Sequence, residues 1–159
     1  MNDTRTPAAA PALVLRRVYA APRQRVFDAW TKPELAIQFL GTGDVTVPEA
    51  RMDVRTGGSY TIVMQMPDGE RWNVGGVYRE VRPPERLSMT WRWEEDKPED
   101  EYDTLLTLEF NEVDGGTELV LTHEQFASAD SRDRHQEGWT AIMAQADAVI
   151  AGPQARSSQ

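Results

Sequence analysis

Hydrophobic and polar positions alternate with two different periods along this chain, and the periods divide it. Between Leu13 and His123 apolar residues recur at every second position in several short runs, the period of a strand with one buried face. Tyr60, Ile62, Met64 and Met66 alternate with Ser59, Thr61, Val63 and Gln65; Leu87, Met89, Trp91 and Trp93 alternate with Ser88, Thr90, Arg92 and Glu94. Thr104, Leu106, Leu108 and Phe110 share a face of a third run, and Leu119, Leu121 and His123 share a face of a fourth. Over residues 131–151 the spacing changes to three and four. Trp139, Ile142, Met143, Ala146, Val149 and Ile150 then fall on one helical stripe.

Turn chemistry supplies the joints. Asp68-Gly69 and Asp114-Gly115-Gly116 sit between strand-like runs as hairpin turns, while Gly57-Gly58 and Pro83-Pro84 end others. The pattern predicts a first strand over Leu13–Tyr19, one over 44–54 that Pro48 forces to an edge or into a bulge, and a return strand over 71–81. Pro22 suits the first turn of a short helix whose buried face is Val26, Phe27 and Trp30. Thr31 and Glu34 have the spacing of a capping box, which starts a second short helix through Leu35, Ile37 and Phe39. Asp130 or Ser131 caps the long helix, and Gly152-Pro153 stops it. Strands joined by hairpins make an antiparallel meander, not strand–helix alternation. The fold class expected is α+β, a curved antiparallel sheet wrapped around one long C-terminal helix, with two short helices after the first strand.

The domain expected is residues 13–151. Residues 1–12, biased to Thr, Pro and Ala, and residues 152–159 are expected to be flexible tails. At 159 residues the chain is long enough for one core without staples. It has no cysteine, which removes disulfides and thiolate chemistry and favours a reducing compartment. No run approaches the length of a membrane span and the first twelve residues lack the features of a signal peptide, so a cytoplasmic location is expected. A net charge of −9 argues against a nucleic-acid partner. Seven carboxylates fall within residues 94–103, but without the ligand spacing of a calcium loop, so a solvated hairpin is the expectation there.

Candidate chemistry is sparse. Gly41-Thr42-Gly43 lacks the third glycine and the following helix of a nucleotide loop. Two histidines, no cysteine and no compact histidine–carboxylate motif give no metal site and no cofactor site. The inward faces, by contrast, are rich in large aromatics and methionines beside the small Ala146. Such a set fills a solid core or walls an apolar ligand cavity, and composition alone leaves both open. His123 and Tyr60 lie on the inward parity of their strands, as ligand-orienting groups or an acid–base pair, although a histidine ending a strand is more often structural. His135, off the stripe, is expected in solvent. Gly138 allows a strand or ligand to approach the helix closely, with packing the simpler explanation.

The segments Ala21-Pro22-Arg23-Gln24-Arg25-Val26-Phe27-Asp28-Ala29-Trp30-Thr31 and Met52-Asp53-Val54-Arg55-Thr56-Gly57-Gly58-Ser59-Tyr60 resemble the opening motifs of the SRPBCC, or START-like, superfamily. Gly76-Val77-Tyr78-Arg79-Glu80-Val81, Pro83-Pro84-Glu85-Arg86-Leu87, Gly116-Thr117-Glu118-Leu119, Thr122-His123-Glu124 and Gly138-Trp139 follow in family order. The set is most similar to the bacterial branch named for homology to the activator of heat-shock-protein ATPase. Where that branch often has paired tryptophans after the second short helix, this chain has Phe39-Leu40.

The resemblance implies a helix-grip (START/Bet v-like) fold with a deep cavity between sheet and helix. Pattern and resemblance together make Tyr60, Ile62, Met64, Tyr78, Met89, Trp91, Trp93, Leu106, Leu108, Leu121, His123, Trp139, Met143 and Ala146 the candidate cavity residues. No catalytic residue is assigned beyond His123 as a weak candidate. The function expected is binding of a small apolar or aromatic, lipid- or polyketide-like molecule. The alternatives are a cyclase or hydrolase on a polyketide-like substrate and a stress-related co-chaperone that stimulates a heat-shock ATPase. The expected partner is a small apolar ligand, or a heat-shock chaperone under the co-chaperone alternative, with a monomeric or homodimeric chain.

Overall fold

A computed structural model describes residues 11–94 and 103–157. The expected tail as far as residue 10 and most of the acidic run, residues 95–102, lie outside the described residues. The elements are β1 (Leu13–Tyr19), α1 (Arg23–Thr31), α2 (Pro33–Ala36), β2 (Thr46–Met52), β3 (Ser59–Gln65), β4 (Arg71–Arg82), β5 (Arg86–Glu94), β6 (Thr104–Val113), β7 (Gly116–Glu124) and α3 (Ala129–Ser157).

All seven strands form one antiparallel sheet in the order β1-β7-β6-β5-β4-β3-β2. From β2 to β7 each strand pairs with the next in sequence; only β1 pairs out of order, lying against β7 with Leu13 opposite His123 and Tyr19 opposite Thr117. Closing that pair lets the chain between β1 and β2 carry the two short helices. As Pro48 requires, β2 is an edge strand, and its pairing with β3 slips between Thr46 and Glu49. A second slip, between Tyr78 and Glu80, lies where β4 passes β5. There Gly76 sits so close that a Cβ would strike the Thr90 carbonyl.

The inward positions read from the alternation are buried: Tyr60, Ile62, Met64, Leu87, Met89, Trp91, Leu106, Leu108, Phe110, Leu119, Leu121 and His123. Helix α3 lays Trp139, Ile142, Met143, Ala146 and Ile150 on them. Tyr19 ties sheet to helix, its buried hydroxyl donating to the Met143 carbonyl at 2.7 Å. Phe27 of α1 meets Phe110 edge to face at 5.3 Å, and Trp30 meets Phe39 at 5.0 Å, closing the far end of the core.

Local signals misplace several boundaries. Thr31 does not cap α2. It ends α1, and its hydroxyl donates to the Phe27 carbonyl one turn back, a bond open to any threonine inside a helix. Lys32 precedes α2 and Pro33 takes its first turn, where the missing N–H costs nothing. Helix α3 starts earlier than expected, because the Ser128 hydroxyl accepts from the Ser131 N–H at 3.1 Å and is the cap. It also extends past Gly152-Pro153 to Ser157. A proline removes one amide bond and kinks a helix, yet does not always end it. The 44–54 strand shortens to Thr46–Met52 because Gly43, at φ 60°, and the bond from Val45 N–H to the Thr42 carbonyl hold residues 42–45 in a turn.

Candidate functional site

Among the described residues, two neighbouring spaces of very different size lie between sheet and helix. An inner void of about 20 Å³ lies among Trp30, Leu40, Met52, Tyr60, Ile62, Tyr78, Met89, Trp91, Leu106, Leu108 and Trp139. It has room for about one water molecule. An outer cavity of about 620 Å³ opens beside it, toward the start of α3. Small-molecule sites occupy about 300–1,000 Å³, so of these two the second is of ligand size.

Five parts of the chain wall the outer cavity. The β3–β4 hairpin and β5 contribute Met64, Met66, Trp72, Trp91 and Trp93; the chain between α2 and β2 contributes Leu40, Thr42 and Val45. The β7–α3 connection and α3 contribute Ser128, Asp130, Arg134, His135, Gly138, Trp139 and Ile142. Gln145, from the middle of α3, holds the α2–β2 chain in place by donating to the Phe39 and Gly41 carbonyls at 2.8 and 2.7 Å. The wall is mainly apolar, with four of the five tryptophans of the sequence on it.

Each histidine accepts from one of these indoles. Trp139 Nε1 donates to His123 Nδ1 at 3.0 Å, so the imidazole proton of His123 belongs on Nε2, 2.6 Å from Thr104 Oγ1. The Thr104 hydroxyl in turn donates to the Trp91 carbonyl at 2.9 Å. Every hydrogen in this buried chain has an acceptor. Burial, helped by the neighbouring His135, pushes the pKa of His123 down to about 2. His135 repeats the arrangement nearer solvent: Trp93 Nε1 donates to its Nε2 at 2.9 Å, and its Nδ1 lies 2.8 Å from the Ser131 carbonyl. The two rings stand edge to face, 5.1 Å apart, both against Phe126. His135 is therefore half-buried and bonded, not in solvent as expected.

His123 and Tyr60 share no hydrogen bond among the described residues. The Tyr60 hydroxyl donates to the Thr90 carbonyl at 2.5 Å, and burial raises its pKa well above the ordinary value, with Tyr78 and Asp103 adding to the effect. Burial likewise raises Tyr78. Neither tyrosine gives up its proton in the neutral range, and His123 does not take one.

The residues expected to line one cavity are thus divided. Met64, Trp91, Trp93 and Trp139 border the outer cavity. Tyr60, Ile62, Tyr78, Met89, Leu106 and Leu108 border the small void, and Leu121, His123, Met143 and Ala146 border neither space. The inner faces interlock well enough to fill what the pattern leaves as an open interior. The expectation for His135 ended the helical stripe too early, since Ser131 and His135 continue it backwards from Trp139 at spacings of four. Leu40, Thr42 and Val45 carried no signal, because connecting chain has no period.

Comparison with known proteins agrees with this architecture. A family profile described as "Activator of Hsp90 ATPase homolog 1-like protein" matches residues 20–151. Among solved structures, the AHSA1 protein of Silicibacter pomeroyi superposes with a TM-score of 0.77 at 27% identity, over 89% of this chain and 98% of that one. A Rhodobacter sphaeroides protein gives 0.78 at 26% identity, over 91% and 95%. A Chromobacterium violaceum protein gives 0.79 at 25% identity, over 87% and 96%. No curated protein matches the chain. With its fold and most of its length matched, the chain belongs to the Activator of Hsp90 ATPase homolog 1-like family of the SRPBCC superfamily.

Proposed function

We propose that the protein binds one small apolar or aromatic molecule in the outer cavity, held by Met64, Trp91, Trp93 and Trp139. The observation that carries the reading is Gly138. It lies inside α3 on the cavity wall, where a Cβ would meet nothing within 4 Å. Glycine there costs about 1 kcal/mol relative to alanine, and no neighbouring strand demands it. What its bare backbone faces is the cavity. His123 serves this site indirectly, by fixing the indole of Trp139.

Native mass spectrometry of protein purified from its own host tests the proposal. A stoichiometric adduct that is released on denaturation, and identified as an apolar or aromatic compound, supports it. Failure of any such compound to bind, in the purified adduct or in titrations with apolar and aromatic probes, sinks it.

The family description favours a second reading, surface binding to a heat-shock ATPase. Stimulation of a purified heat-shock ATPase by the chain supports that reading, and an unchanged rate at saturating protein removes it. A cyclase or hydrolase has no such support, because both nitrogens of His123 are already engaged.

A further inference from the structure

Leu40, Trp91 and Trp139 line both the outer cavity and the inner void. They are the partition between the two. All three are buried, and the rings of Trp91 and Trp139 touch with centroids 4.9 Å apart. His123 fixes Trp139, and the carbonyls on either side of Leu40, those of Phe39 and Gly41, are fixed by Gln145. Behind the partition lies the void of about 20 Å³. The partition closes the route along which an extended acyl chain would continue between sheet and helix.

In front of it the walls are flat and set at steep angles. Trp93 stands at 84° to Trp72 and at 85° to Trp91, with centroids 6.3 and 6.0 Å apart. A planar ring system entering this corner stacks on one indole while presenting its edge to the next, and gains from both contacts beyond the area it buries. An alkyl chain gains only the area. Among the described residues the wall also carries Asp130, Arg134 and His135.

We infer that the cavity selects compact fused-ring aromatic molecules over long-chain lipids, and that the Leu40–Trp91–Trp139 partition sets the limit. The inference rests on the cavity reading above. Its test is isothermal titration of the full chain with 9-anthracenemethanol and, separately, with palmitate below its micelle concentration, followed by the same pair on Leu40→Ala. The expected result is one site for 9-anthracenemethanol, palmitate weaker by roughly tenfold or more, and a narrowed gap in Leu40→Ala as the void joins the cavity.

Palmitate that binds the wild-type chain as tightly as the aromatic probe overturns the selection and leaves the cavity reading standing. Binding of neither probe overturns both. A folded Leu40→Ala that discriminates as wild type does overturns the partition as the cause. If Leu40→Ala does not fold, Leu40→Val replaces it and is judged by the same criterion, while the wild-type comparison decides the selection by itself.

Discussion

The indole of Trp139 donates to Nδ1 of His123 across the interface between α3 and β7, at 3.0 Å and out of reach of water. One bond therefore sets the tautomer of the histidine and the orientation of a cavity wall. Because Nδ1 is an acceptor only while the ring is neutral, protonation of His123 and this contact exclude each other.

The pH dependence follows with a definite sign. The pKa of His123 is about 2 in the folded chain against an ordinary value of 6.5, so the unfolded chain binds the extra proton first as pH falls. Stability is unaffected by this group above about pH 6.5 and declines below it, by about 2 kcal/mol between pH 8 and pH 5. Urea denaturation of wild type and His123→Gln at the two pH values isolates the contribution. The variant should be less stable at pH 8 and lose about 2 kcal/mol less than wild type on acidification. An equal loss in both proteins would show that His123 is protonated in the folded state.

Removing the donor should be costly in itself. Trp139→Phe keeps an aromatic ring but leaves His123 Nδ1 without its partner in the core, a loss of about 1–3 kcal/mol plus the contacts of the missing ring. Thermal unfolding measures it. A change within about 0.5 kcal/mol would mean that the bond contributes no net stability.

Gly138 offers the opposite case. Gly138→Ala adds a methyl group into open space and removes the conformational cost of a helix-interior glycine, so the chain should gain up to about 1 kcal/mol and a few degrees in Tm. Gly138→Leu should also fold, while filling part of the cavity and weakening 9-anthracenemethanol binding by roughly tenfold. A Gly138→Leu protein that is stable and binds the probe as wild type does would move the ligand away from this wall.

Much of this molecule is written in two periodicities. The alternation along residues 86–94 and 104–124, and the stripe from Trp139 to Ile150, identify the buried face of nearly every central element because burial against one partner layer enforces a period. The site is less legible for the same reason. Trp91 and Trp139 come from periodic elements and stand out, but Leu40, Thr42, Val45 and Ser128 sit on connecting chain whose position depends on partners far away in sequence. Phe39-Leu40 shows the difference. The sequence marks it as a departure from related chains, and the fold buries Phe39 against Trp30 while placing Leu40 on the partition. The Thr31 cap fails on competition: two local hydrogen bonds are open to that hydroxyl, and sequence spacing does not say which one the backbone selects.

Gln145 is the residue through which the long helix reaches the irregular side of the cavity. Its single amide group donates to the Phe39 and Gly41 carbonyls, which flank Leu40, and it bridges more than a hundred residues of chain to do so. Gln145→Ala removes both bonds from a half-buried position, at a cost of about 2 kcal/mol. The effect should be local, because the strand ladders do not depend on it. Hydrogen exchange should quicken at the amides of residues 39–45 in the variant while those of β6 and β7 keep their protection relative to global stability. Uniform loss of protection would instead place Gln145 in the common core. If the α2–β2 chain does loosen alone, affinity for 9-anthracenemethanol should fall with it, since Leu40, Thr42 and Val45 form that wall of the cavity and a bound molecule must then bear the cost of ordering them.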